Sequence, residues 1–70
     1  MNFASALFEL QRGHKIKRHH WGGYWQYNKE KDTVIMHTYK GEDIDIKNTN
    51  DILYTLSNCA SNDWEVIQDW

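Results

Sequence analysis

Ten consecutive residues, Arg18-His19-His20-Trp21-Gly22-Gly23-Tyr24-Trp25-Gln26-Tyr27, place one guanidinium, two imidazoles, four large aromatic rings and two adjacent glycines in a chain of only 70 residues. Side chains on a strand alternate between its two faces, and these rings sit at both odd and even positions. No single face of one strand can hide them all. The segment therefore predicts that some rings meet a ligand, a second subunit or water, because clustered exposed aromatics mark binding surfaces. Gly22 and Gly23 are expected to let the backbone approach a ligand where a Cβ would intrude.

A chain of this length makes one domain, residues 1–70, and buries only about 60% of the surface that its unfolded form exposes. The usual reinforcements are missing. Cys59 is the single cysteine, so no intrachain disulfide forms, and no His/Cys spacing resembles a structural zinc site. With ten aromatic residues to accommodate, the remaining reinforcement is self-association, and a dimer or tetramer is expected. Neither a secretory leader nor an apolar run near 18 residues is found, which predicts a soluble intracellular protein with no membrane partner.

The net charge of −2 conceals a division. Residues 1–40 carry seven Lys/Arg against three Asp/Glu, whereas residues 41–70 carry one Lys against seven acids. Arg12, Lys15, Lys17 and Arg18 lie among His14, His19 and His20. Such a patch suits an anionic partner, but four cations are few for a nucleic-acid surface. Alternatively, the basic strand pairs with the acidic half of its own chain or of a neighbouring subunit.

The local pattern predicts an α+β fold with an N-terminal helix on a small antiparallel sheet. Asn2 caps a helix from Phe3 to Arg12, with Phe3, Leu7 and Leu10 at helical spacing, Phe8 off that stripe, and Gly13 as the stop. His14 to His19 reads as an edge strand or one exposed on a single face, with Ile16 pointing inward. Tyr24 to Tyr27 and Val34 to Tyr39 read as strands joined by a turn at Asn28 to Asp32, and Ile44 to Lys47 as a short fourth. Asn50 or Thr49 caps a short helix through Ile52, Leu53 and Leu56, with a strand as the competing reading. Trp64 to Trp70 is the last strand. Apolar side chains on both faces of the aromatic and C-terminal strands predict that a second subunit covers the far face of the sheet.

Catalysis finds little in this sequence. Ser5, Ser57 and Ser61 lie in no nucleophile setting. The neighbours His19 and His20 point to opposite sides of a strand and cannot easily share a metal ion with His14, His37 or Cys59. Asp43 and Asp45 share a strand face, as solvated carboxylates beside a turn also do. Neither metal nor cofactor is expected. A ligand with a base and phosphates wants aromatic platforms, a planar cation, close backbone N–H groups and a carboxylate for ribose hydroxyls. Arg18, Trp21, Gly22, Gly23, Tyr24, Trp25 and Asp63 supply those types and form the candidate ligand site. Against this stands a purely structural account, with Trp21 and Trp64 as core rings and Arg18 paired to Asp63.

Several motifs carry a resemblance. The opening Met1-Asn2-Phe3-Ala4-Ser5-Ala6-Leu7 with Leu10 and Gly13, the run Lys15-Ile16-Lys17-Arg18, the spacing Arg18-x-x-Trp21-Gly22-Gly23 and the closing Ala60-Ser61-Asn62-Asp63-Trp64-Glu65-Val66 look like the second Thoeris anti-defence family of phage and prophage proteins. The resemblance implies a small oligomeric, non-enzymatic sponge. It would act in the cytoplasm of the infected host, binding cyclic ADP-ribose isomers without cleaving them and so keeping the defence effector silent. It supports Arg18, Trp21, the two glycines, Asp63 and Trp64, whereas Tyr24 and Trp25 rest on chemistry alone. The segment from Asn28 to Asn50 departs from the family in lacking a proline- and tryptophan-bearing stretch. The rival functions are direct inhibition of a host defence protein, such as a CRISPR component, and binding of single-stranded nucleic acid.

Overall fold

In the computed structural model, which describes residues 1–67, the chain runs α1 (Phe3–Gln11), β1 (Lys15–Arg18), β2 (Tyr24–Asn28), β3 (Thr33–His37), β4 (Asp43–Asp45), a 3-10 turn (Ile46–Asn48), α2 (Ile52–Cys59) and β5 (Trp64–Ile67). The strands form one antiparallel sheet in the order β4-β3-β2-β1-β5. This is the expected α+β architecture, with both helices present. The predicted continuation of the last strand through Gln68 to Trp70 lies outside the described residues.

α1 starts where the sequence says it should, because the Asn2 side chain accepts from the Ser5 N–H at 2.9 Å, a standard N-cap bond. It stops at Gly13, whose φ of +90° belongs to the region that favours glycine. The buried stripe differs from expectation: Ala6 and Leu10 are sealed in the core, while Leu7 is 39% exposed. Positions 3, 6 and 10 face the sheet because a helix advances 100° per residue, and spacings of three and four both return to one face.

β1 is an inner strand between β2 and β5, not an edge. Registers Ile16↔Trp25, Ile16↔Val66, Trp25↔Met36 and Met36↔Ile44 put these residues on one face of the sheet. That face holds the core of Ala6, Leu10, Ile16, Trp25 and Trp64. The true edges are β4 and β5. β4 is three residues long and carries Asp43 and Asp45, a composition that discourages pairing with foreign strands.

The start of the chain also joins β5. The Met1 ammonium donates to the Trp64 carbonyl at 2.8 Å and the Trp64 N–H donates to the Met1 carbonyl at 3.0 Å. α2 is capped by the Asp51 carboxylate, which accepts from the Tyr54 N–H at 2.9 Å. Asp51 thus replaces the expected Asn50 or Thr49. In place of the expected strand through Lys47, the chain turns into the 3-10 helix after Asp45, whose carboxylate accepts from the Lys47 N–H at 2.9 Å.

Candidate ligand cavity between the sheet and the second helix

The aromatic segment divides between the two sheet faces and the loop before β2. Trp25 and Tyr27 fall on the core face of β2, Tyr24 on the opposite face, and Trp21 in the connection from β1. Trp21 packs its ring 5.6 Å from Trp25 and 5.2 Å, edge-on, from Trp64, and Trp25 and Trp64 lie 5.1 Å apart. Phe3 of α1 closes the cluster at 5.1 Å from Trp64. Tilted and edge-to-face contacts at these separations are the favoured geometries of aromatic pairs. The chain therefore hides more of its rings than the local pattern predicts, because α1 and β5 bring partners from distant sequence.

Trp21 is only half-buried, and its free side opens on a cavity of about 470 Å³. Trp21, Trp25, Met36, Ile44, Tyr39 and Tyr54 give it an apolar and aromatic wall, with Thr49, Thr55, Asn58 and His20 as polar points. Its size falls in the range of small-molecule sites, which are mostly apolar with a few placed polar groups. No Lys or Arg lines it among the described residues.

Of the expected site residues, Trp21, Gly22, Gly23 and Trp25 meet at this cavity. Gly23 has a structural reason to be glycine: a Cβ there would collide with the His37 carbonyl oxygen. At Gly22 a Cβ would lie 3.1 Å from the Tyr39 Cβ. The close approach is therefore to the end of β3. Tyr24 lies on the far face, stacked on His37 at 4.4 Å between ring centroids, with the Lys15 ammonium 4.9 Å above it.

Arg18 and Asp63 lie behind the cavity wall as a pair. Arg18 Nε and Nη2 donate to the two Asp63 oxygens at 2.8 and 3.3 Å. The Arg18 Nη1 donates to Asn58 Oδ1 at 2.8 Å. The hydrogen bond from Arg18 holds the Asp63 carboxyl below its ordinary pKa, and the same bond raises that of the guanidinium. Lys17 and His19 similarly meet Glu65, at 3.2 and 3.1 Å, and hydrogen bonds from His19 and then Lys17 lower its pKa. Lys17, Arg18 and His19 are thus answered within the molecule by Asp63 and Glu65 at the start of β5.

Two determinants escaped sequence reasoning. Lys17 donates to the carbonyls of Arg18, His19 and Trp21 at 3.2, 3.0 and 3.0 Å, tying down the loop that presents Trp21. Asn58, 1% exposed, joins the Arg18 pair to the cavity wall. An asparagine within a short apolar helix gives no local signal of either contact.

For catalysis, the described residues contain no group of three His, Cys, Asp or Glu able to hold a metal ion. Burial pushes the Cys59 thiol up from its ordinary pKa, the opposite of nucleophile activation. No helix among the described residues is long and apolar enough to cross a membrane.

The geometry defines a small α+β domain with an aromatic cavity between its sheet and second helix. The chain belongs to the Thoeris anti-defense 2-like (Tad2-like) domain family, whose sequence profile it matches over residues 1–67. Neither the curated proteins nor the solved structures yielded a match.

Proposed function

We propose that this protein is a phage-encoded anti-defence factor that binds a cyclic nucleotide immune signal of the cyclic ADP-ribose class and holds it uncleaved. Residues 1–70 act as one signal-binding domain in the cytoplasm of the infected host. The observation that carries this reading is the 470 Å³ cavity walled by Trp21, Trp25, Tyr39 and Tyr54, in a chain of the Thoeris anti-defence family. Aromatic faces suit a nucleobase, since every base has a face to stack.

Trp21 is the platform of the site, backed by the buried Trp25, and Gly22 and Gly23 shape its rim. Arg18 and Asp63 support it from behind. Tyr24 serves the far face of the sheet. His20, at the cavity lining, is the side chain placed to hydrogen-bond a phosphate.

The site is completed by assembly into a dimer or tetramer. α2 leaves Ile52, Leu53 and Leu56 at 65, 78 and 58% exposure, an apolar patch beside the cavity-lining Tyr54 that a second copy would cover. The test combines calorimetry with recovery. Cyclic ADP-ribose isomers should bind, and heat-denaturing the complex should return them intact. Binding by none of them would remove this reading, and recovery of hydrolysed product would make the protein an enzyme.

The exposed face of α2 also favours a second reading, direct inhibition of a host defence protein. In that case the protein would be a monomer by light scattering and would capture one host protein stoichiometrically with no small molecule retained.

A further inference from the structure

Among the described residues, one buried side-chain polar atom lacks a hydrogen-bond partner: Nδ2 of Asn58. The rest of that residue is fully engaged. Its Oδ1 accepts from Arg18 Nη1 at 2.8 Å, and its backbone carbonyl accepts from Trp64 Nε1 at 2.9 Å. Because a guanidinium only donates, the bond from Arg18 fixes which end of the amide is oxygen. Turning the amide over would set donor against donor. Arg18 is itself held by two bonds from its guanidinium to Asp63. The chain Asp63, Arg18, Asn58 therefore leads from the acidic β5 loop to the cavity wall and ends on an N–H donor.

A buried donor without an acceptor is rare and unfavourable. Here it belongs to a residue of the cavity wall, beside Trp21, Trp25 and Thr55. The Thr55 hydroxyl is already engaged, donating to the Asp51 carbonyl at 3.0 Å and meeting Thr49 Oγ1 at 3.4 Å. The half-buried Trp21 ring offers a flat ligand a face, so an entering ligand is the source of acceptor that the cavity leaves open.

We infer that Asn58 is the specificity-determining donor of the cavity. Its Nδ2 gives a hydrogen bond to a ring nitrogen or carbonyl oxygen of a planar base lying beside Trp21 and Trp25, and the Asp63–Arg18 pair positions it. This rests on the reading of the cavity as the signal site. A base that offers only an amino group at that point is rejected, because two donors then face each other.

The amide itself reports on this. In nitrogen-15-labelled protein, the Asn58 side-chain signals are identified by their loss in Asn58→Asp. On saturation with a cyclic ADP-ribose isomer carrying a free adenine, they should move downfield and exchange more slowly with solvent. Asn58→Asp keeps an acceptor for Arg18 but replaces the donor with a second oxygen, and it should bind the probe about 5- to 150-fold more weakly. Arg18→Lys should shrink the ligand-induced amide shift even at saturation, which a purely stabilising role would not do.

An unmoved amide in a ligand-bound wild-type protein would overturn the inference, as would undiminished binding by folded Asn58→Asp. If Asn58→Asp does not fold, the signals are assigned from backbone-linked spectra and the wild-type shift decides. If no cyclic probe binds, the reading of the site fails separately, and titration with adenosine, guanosine and inosine decides the donor's role. A shift of the Asn58 amide with any of them supports it, and no shift with all three ends it.

Discussion

Arg18 commits three of its five N–H donors, two to the carboxylate of Asp63 and one to the amide of Asn58. A lysine carries the same charge but cannot reproduce that fork. Arg18→Lys and Asp63→Asn should each lower the melting temperature, and their effects should be strongly non-additive in a double-mutant cycle. Additive effects would mean that Arg18 makes its main contacts elsewhere. Trp21 and Trp64 should separate by the same logic. Trp64, 1% exposed at the centre of the aromatic cluster, should cost about 3–5 kcal/mol of stability when cut to alanine. Half-buried Trp21 should cost less stability but about 1–3 kcal/mol of ligand affinity, measured by calorimetry beside thermal melts. Gly23→Ala should destabilise more than Gly22→Ala, because the first Cβ meets a backbone carbonyl and the second a side-chain carbon.

At the scale of elements, α1 and α2 are held by different means. α1 lays Phe3, Ala6 and Leu10 against β1, β2 and β5, and its cap and stop are written in Asn2 and Gly13. α2 buries only Thr55 and Asn58 and turns Ile52, Leu53 and Leu56 outward. Helices this short are marginal without tertiary support, so its cap matters. Asp51→Ala should destabilise by about 1 kcal/mol, visible as a lower melting temperature. If the outward face is the subunit contact, Leu53→Glu should dissociate the oligomer in light scattering while the monomer stays folded. An unchanged mass would place the contact elsewhere.

For the whole molecule, the divided charge becomes an acid sensitivity. Asp63 is lowered by Arg18, Glu65 by His19 and Lys17, and Asp45 by the Lys47 N–H and the Thr33 hydroxyl. Each folded carboxyl binds its proton less readily than the unfolded one, so folding favours the ionised form. That contribution is complete above the unfolded carboxylate range of about pH 4 to 4.5 and is lost as pH falls through the lower folded values. Thermal melts between pH 7 and 3 should show stability declining below about pH 5, and Asp63→Asn should flatten the decline. A profile unchanged in Asp63→Asn would show that the pair contributes nothing to acid stability.

Much of this arrangement was legible in the order of residues, because the signals are local. Asn2 and Gly13 bound the first helix, Ile16 alternates inward between two lysines, and the turn residues separate β2, β3 and β4. The motif ends were specific enough to indicate the family. Tertiary structure alone decided where β5 lies, since pairing between residues 15–18 and 64–67 is set by closing most of the chain into a loop and no local pattern encodes it. That pairing made β1 an inner strand and answered its Lys17 and Arg18 with Glu65 and Asp63. It also brought Trp64 beneath Trp21 and Trp25, so rings that look excessive in one segment became half of a core. Asn58 acquired its place for the same reason: a residue neutral in its own helix became a buried donor only when Arg18, 40 positions away, met its oxygen.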